Sequence, residues 1–135
     1  MRDPAERRAA ARALRYLVAA RLLHARLPAS ALIARLSAAP DGPRPARLSE
    51  AERERMRRAL AGMSRRLPWR SDCMIQSLAA RMWLDALGVP CRFRLGAARG
   101  AEGLAAHAWV EVDGAVVTGG RAVGRMAAFA PADPD

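Results

Sequence analysis

Between Asp72 and Leu87, apolar residues cover nearly the whole helical circumference: Met74, Ile75, Leu78, Ala79, Met82, Trp83, Leu84, Ala86 and Leu87. Only Ser77, Arg81 and Asp85, spaced four apart, remain as a solvent-facing stripe. Ser71 is a good N-cap, and Gly88 with Pro90 ends the segment, so the pattern predicts a buried central helix. Upstream the period is also helical. Asp3-Pro4-Ala5-Glu6 reads as a capping box with Pro at the first helical position. It opens a helix to about Arg26, with Leu14, Leu17, Val18, Leu22 and Ala25 as its apolar face. Leu27-Pro28 breaks that helix, and a short second one covers Ala29 to Ser37. The stretch Pro40-Asp41-Gly42-Pro43-Arg44-Pro45 is a loop. A second capping box from Ser49 to Glu52 opens a helix to about Arg66. Its buried face is Met56, Leu60, Met63 and Leu67, and Glu52, Arg53, Glu54, Arg55, Arg57 and Arg58 form a solvated one.

After Gly88 the period falls to two. Cys91, Phe93 and Leu95 alternate with Arg92 and Arg94, which predicts a half-buried strand in which Cys91 is core. Arg99 to Gly103 is a turn, Leu104 to Val112 a second strand, and Asp113-Gly114 a type I′ hairpin signal. Ala115 to Thr118 returns as a third strand, and residues 121–135 offer a further short one. Helices first and an antiparallel sheet second make an α+β fold: N-terminal helices, then a Cys-bearing helix packed on a small sheet. The proline-rich loop separates an N-terminal helical region, 1–45, from a core, 46–135, within one compact domain.

Charge adds a partner to this picture. The 135-residue chain carries +10, and all 23 of its basic residues are Arg. Because they are dispersed rather than blocked together, a protein or peptide partner is favoured over nucleic acid. The first helix is open to two readings, a basic amphipathic helix that docks on a partner or membrane surface, or one packed on its own domain. Arg interrupts every long apolar run, so no membrane span is predicted. The N-terminus lacks an uninterrupted apolar stretch of signal-peptide type, which makes the cytoplasm the default location. Two cysteines make no disulfide framework, and one Cys with one His and no spaced companions makes no metal site. No cofactor is implied.

The candidate chemistry is a thiol and an imidazole. Cys73 falls in the first turn of the central helix, where free N–H groups and the positive end of the dipole favour a thiolate. His107 sits on the strand Ala106-His107-Ala108-Trp109-Val110-Glu111-Val112, where it can take the thiol proton. The Cys73 N–H is a candidate oxyanion donor, with Gln76 or Trp69 as a second, and Trp109 is a further substrate-side candidate.

The segments Cys73-Met74-Ile75-Gln76-Ser77-Leu78-Ala79, Leu87-Gly88-Val89-Pro90-Cys91 and Ala106-His107-Ala108-Trp109-Val110-Glu111-Val112-Asp113-Gly114 resemble the transglutaminase-like (papain-like) cysteine peptidases of lasso-peptide biosynthesis. The resemblance covers about residues 69–120. It implies a leader peptidase with Cys73 as nucleophile and His107 as base, acting on a ribosomal precursor. It further implies a separate leader-recognition protein of winged-helix type and an ATP-dependent cyclase that closes the ring afterwards. Members of this family carry an Asp on the strand after the His, which holds the imidazole in its working tautomer. Here that strand offers Thr118, Gly119 and Gly120, and no Asp, Glu, Asn or Gln lies between Asp113 and Asp133. Thr118, a backbone carbonyl, or Asp133 or Asp135 from the tail is left to orient the ring. Asp113 is a turn residue, and Glu111 shares the ring's face four positions further along. Two other functions compete: a different acyl-transfer enzyme on the same scaffold, such as a transglutaminase or amidase, and a non-catalytic Arg-rich adaptor for an acidic peptide or nucleic acid.

Overall fold

The helix that opens at Cys73 is the centre of the molecule. In the computed structural model, which describes residues 3–38, 47–68, 73–100, 103–118 and 127–128, four helices precede four strands. They are α1 (Pro4–Arg26), α2 (Ala29–Ser37), α3 (Glu50–Arg66) and α4 (Cys73–Leu87), then β1 (Arg92–Gly100), β2 (Gly103–Val112), β3 (Ala115–Val116) and β4 (Ala127–Ala128). The α+β order is the expected one. Helices α1, α2 and α3 and strand β2 all pack on α4. Eight of the fifteen α4 residues are buried: Ile75, Ser77, Leu78, Ala79, Ala80, Arg81, Trp83 and Leu84.

Ser77 and Arg81 overturn the expected solvent stripe, since both lie inside. The reason is that each finds a backbone oxygen there. Ser77 Oγ donates to the Cys73 carbonyl at 2.7 Å. Arg81 Nη1 donates to Leu36 O at 2.8 Å and Ala38 O at 3.0 Å, two carbonyls at the end of α2 that have no helical donor of their own. Its Nε reaches both carboxylate oxygens of Asp85, 2.9 Å from each. A polar group can be buried when its hydrogen bonds are met, and Arg81, 9% exposed, is such a case. The far end of α4 closes in a Schellman motif. Val89 N–H donates to Leu84 O and Gly88 N–H to Asp85 O, Gly88 takes φ 73°, and Val89 is buried.

The buried face of α1 is also not the expected one. Ala9, Ala13, Leu17 and Ala20 are buried, with Tyr16 and Leu23 packed beside them. Leu14 (39% exposed), Val18 (37%) and Leu22 (55%) face outward. The small side chains let α1 approach α3 and α4 closely, and Tyr16 stacks on Trp83 with ring centroids 5.9 Å apart. Of the first capping box only one half forms. Asp3 Oδ1 accepts from Glu6 N–H at 2.8 Å, while the Glu6 carboxylate accepts from Arg58 of α3 at 3.3 Å. At α3 both halves of the box are present. The Ser49 side chain and N–H, with help from Arg55, hold the Glu52 carboxyl below its usual range.

The sheet is antiparallel, in the order β3-β2-β1-β4. β1 and β2 run longer than predicted, pairing from Arg92↔Glu111 to Gly100↔Gly103, so Arg99, Gly100 and Gly103 of the expected turn belong to the ladder. The short strand expected in 121–135 is β4, which pairs Gly96↔Ala128 and Ala97↔Ala127. Ala108, Val110, Val112, Val117 and Phe93 join α4 in the core. Among the described residues, no helix is long and apolar enough to cross a membrane. Replacing Arg81 by Ala removes both α2 carbonyl bonds and should destabilise the fold by about 3 kcal/mol in urea titration. Asp85→Asn, which leaves those carbonyl bonds in place, should cost under about 1 kcal/mol.

Candidate active site

Cys73 is the first residue of α4, and its side chain is half-buried against the core. Ser77 fixes its carbonyl through the hydroxyl bond, which clamps the first helical turn. Gln76 lies on the same turn and is partly exposed. Ser71, Asp72 and Trp69, the expected cap and neighbours of the thiol, lie outside the described residues.

His107 lies on β2, opposite Gly96 of β1. Strand alternation divides this segment cleanly. Ala108, Val110 and Val112 point into the core, while His107, Trp109 and Glu111 share the opposite face. On that face the three side chains form a chain of contacts. The His107 and Trp109 rings stack with centroids 6.3 Å apart and an interplanar angle of 25°. Trp109 Nε1 donates to Glu111 Oε2 at 2.8 Å, and Trp109 is itself buried. A carboxylate accepting from an indole N–H makes the ring a richer π partner for an imidazolium stacked on it. The i, i+2 spacing in His107-Ala108-Trp109-Val110-Glu111 already carried this arrangement, although Trp109 was read only as a substrate-side residue and Glu111 only as a distant neighbour.

The hairpin after β2 has the predicted register, Glu111↔Val116 and Val112↔Ala115, with Asp113 at φ 52° and Gly114 at φ 80°. Asp113 is thus a turn residue. Beyond β3 the strand peels away. Val117 N–H still donates to Val110 O at 2.8 Å, but Val110 N–H is taken by the Thr118 hydroxyl oxygen at 3.1 Å. Thr118 is therefore buried with a side-chain acceptor standing in for the missing backbone one. Gly119, Gly120, Asp133 and Asp135 lie outside the described residues. Among the described residues there is no cluster of His, Cys, Asp or Glu that could hold a metal ion.

Cys73 and His107 stand on two elements that pack together, α4 and β2, but the β2 side chains that enter the core beside α4 are Ala108, Val110 and Val112, and His107 lies on the other face of the strand. The sequence profile of the Transglutaminase-like superfamily matches residues 13–132. The chain belongs to the transglutaminase-like superfamily. Among curated proteins and solved structures, none matches it. The superfamily includes cysteine proteases and transglutaminases, so cysteine-protease or acyl-transfer chemistry is the class of activity it suggests.

The second cysteine has a different environment. Cys91 is partly buried at the foot of β1, and burial pushes its thiol up to about 11, with Arg81 pulling it down and Asp85 pushing it further up. A thiol that ionises at 9.0 in the open chain and about 11 in the folded one favours folding fully below pH 9. That contribution is lost as the pH rises through 11. The parent should therefore lose stability relative to Cys91→Ala between these values, measured by thermal melting across the alkaline range. Thr118 allows a separate check. Thr118→Val leaves Val110 N–H without an acceptor and should cost about 1–3 kcal/mol in urea titration, whereas Thr118→Ser should recover most of it.

Proposed function

We propose that this chain is a cysteine peptidase that removes the leader from a ribosomally made lasso-peptide precursor. The Cys73 thiolate attacks the scissile carbonyl, and His107 takes the thiol proton and returns it to the departing amine. One observation carries the reading: Cys73 begins a buried helix packed on the strand that bears His107, in a chain matched to the superfamily over residues 13–132. The run His107-Ala108-Trp109-Val110-Glu111-Val112-Asp113-Gly114 supports the narrower assignment.

Each residue then has a role. The first-turn N–H groups of α4 receive the oxyanion, with Gln76 or Trp69 as a second donor. Trp109, held by Glu111, supports the imidazole from its face. Thr118 is the candidate for orienting the ring at the position where relatives carry Asp. A hydroxyl stabilises an imidazolium less than a carboxylate does, so turnover is slow for the chain alone. The cleavage acts on a leader delivered by a separate recognition protein, in the cytoplasm, ahead of the ATP-dependent cyclase. No cofactor takes part in these steps.

Mass spectrometry of a precursor incubated with the chain, with and without its recognition partner, tests this. The expected result is release of the leader by the parent and none by Cys73→Ala, with Cys91→Ala still active. Cleavage retained in the Cys73→Ala protein would remove the peptidase reading. Transfer of the acyl group to an amine rather than water would move the assignment to another acyl-transfer enzyme.

A further inference from the structure

α1 packs on α3, and two hollows of about 200 Å³ each lie between them, both lined in part by Ala9 and Arg55. Arg55 and Arg58 line the first hollow, with Ala59, Gly62 and Met63. Arg8, Arg12 and Arg55 line the second, over a floor that includes Met56, Trp83 and Leu87. The carboxylates at this groove are already engaged. Glu6 accepts from Arg58, and Glu52 accepts from the Ser49 N–H at 3.2 Å. Arg8 and Arg12, by contrast, make no salt bridge among the described residues. Two buried donors on groove-lining residues, Arg55 Nε and Trp83 Nε1, have no hydrogen-bond partner there either. Trp83 is only 4% exposed, so the orphaned donor belongs to a residue nine-tenths buried.

We propose that this groove is an exosite for an acidic peptide segment bearing Leu or Ile side chains, contributed by the leader of the substrate. The inference rests on the peptidase reading for the identity of that peptide. Carboxylates meet the arginine wall, and apolar side chains enter the two hollows, whose Met56 and Met63 adapt to irregular shapes. A nucleic acid satisfies the arginines but has no side chains for the hollows. The distance to the nucleophile fits one continuous peptide. Trp83 is ten residues along α4 from Cys73, about 15 Å at about 1.5 Å per residue. An extended peptide covers that span in about five residues. The exosite therefore holds leader residues about five or more positions from the scissile bond.

The test uses the full chain carrying Cys73→Ala, so that binding is read without cleavage. The probe is a fluorescein-labelled peptide of Leu and Glu, followed by anisotropy. Exposed Arg8 and Arg12, reversed together as R8E/R12E, should weaken binding at least about tenfold. A Cβ added at Gly62 meets no atom within 4 Å. Gly62→Leu therefore starts from open space and extends toward the first hollow, and should raise the melting temperature while weakening the peptide several-fold. R7E/R21E, the same charge change on exposed α1 positions outside the groove, should leave affinity within about twofold. Replacing Glu by Gln in the probe should also abolish most of the binding. The proposal is overturned if R7E/R21E weakens the peptide as much as R8E/R12E, if the Gln peptide binds equally, or if Gly62→Leu binds like the parent. It is equally overturned if single-stranded DNA displaces the peptide and is itself lost in R8E/R12E, which would make the groove a nucleic-acid site. A chain that binds the peptide as described but cleaves no precursor keeps the exosite and loses only the peptidase.

Discussion

A guanidinium in the middle of an apolar helix would ordinarily be expelled, yet Arg81 is where the helical layer is tied together. It donates to two carbonyls at the end of α2 and to Asp85 one turn further along its own helix. Arg suits this position because its planar fork offers five donors in fixed directions, so one side chain can serve several acceptors. The carbonyls it meets are among those that a helix C-terminus leaves without donors. The same side chain therefore caps α2, holds that helix against α4 and partly offsets the burial that raises the Cys91 thiol. With α2 fixed, Leu32 and Leu36 enter the core beside α4.

Small side chains then decide how closely the layers approach. Aromatic residues make up only 4% of the chain, so bulk is scarce and the helices meet through alanine. Ala13, Ala20, Ala79 and Ala80 are all completely buried. Turning α1 so that its alanines face inward also brings Leu17, Tyr16 and Leu23 to the core, while Leu14, Val18 and Leu22 stay outside. Counting apolar residues on one face favoured the bulkier stripe. Close packing favoured the face that let two helix axes come together and placed Tyr16 on Trp83.

These two cases mark what was legible in the sequence. Element order, the Schellman end at Gly88, the capping box at Ser49 and the hairpin register about Asp113-Gly114 depend on residues close together in the chain, and all four form as read. The burial of Arg81, the inward face of α1 and the diversion of Glu6 to Arg58 depend on partners far away in sequence. Arg81, for instance, is answered from Leu36 and Ala38, more than forty positions away. The candidate site divides the same way. Cys73 at a helix start and His107 with Trp109 and Glu111 on one strand face follow from local periodicity. The use of the Thr118 hydroxyl on Val110 N–H does not, because it depends on where the third strand leaves the ladder.

Helix termini bear on the position of Cys73 independently of any partner. The three longer helices differ in how their positive ends are balanced. α1 has Glu6 in its first turn and α3 has Glu50 and Glu52, while α4 has none among the described residues of its first turn, with Asp72 standing just before Cys73 in the sequence. An anion placed at such an end is favoured by about 0.3–1 kcal/mol, and more where the site is partly buried. Cys73 is half-buried there, and the Ser77 hydroxyl bond keeps its turn from fraying. The first turn of α4 offers its free N–H groups to an anion formed beside Cys73.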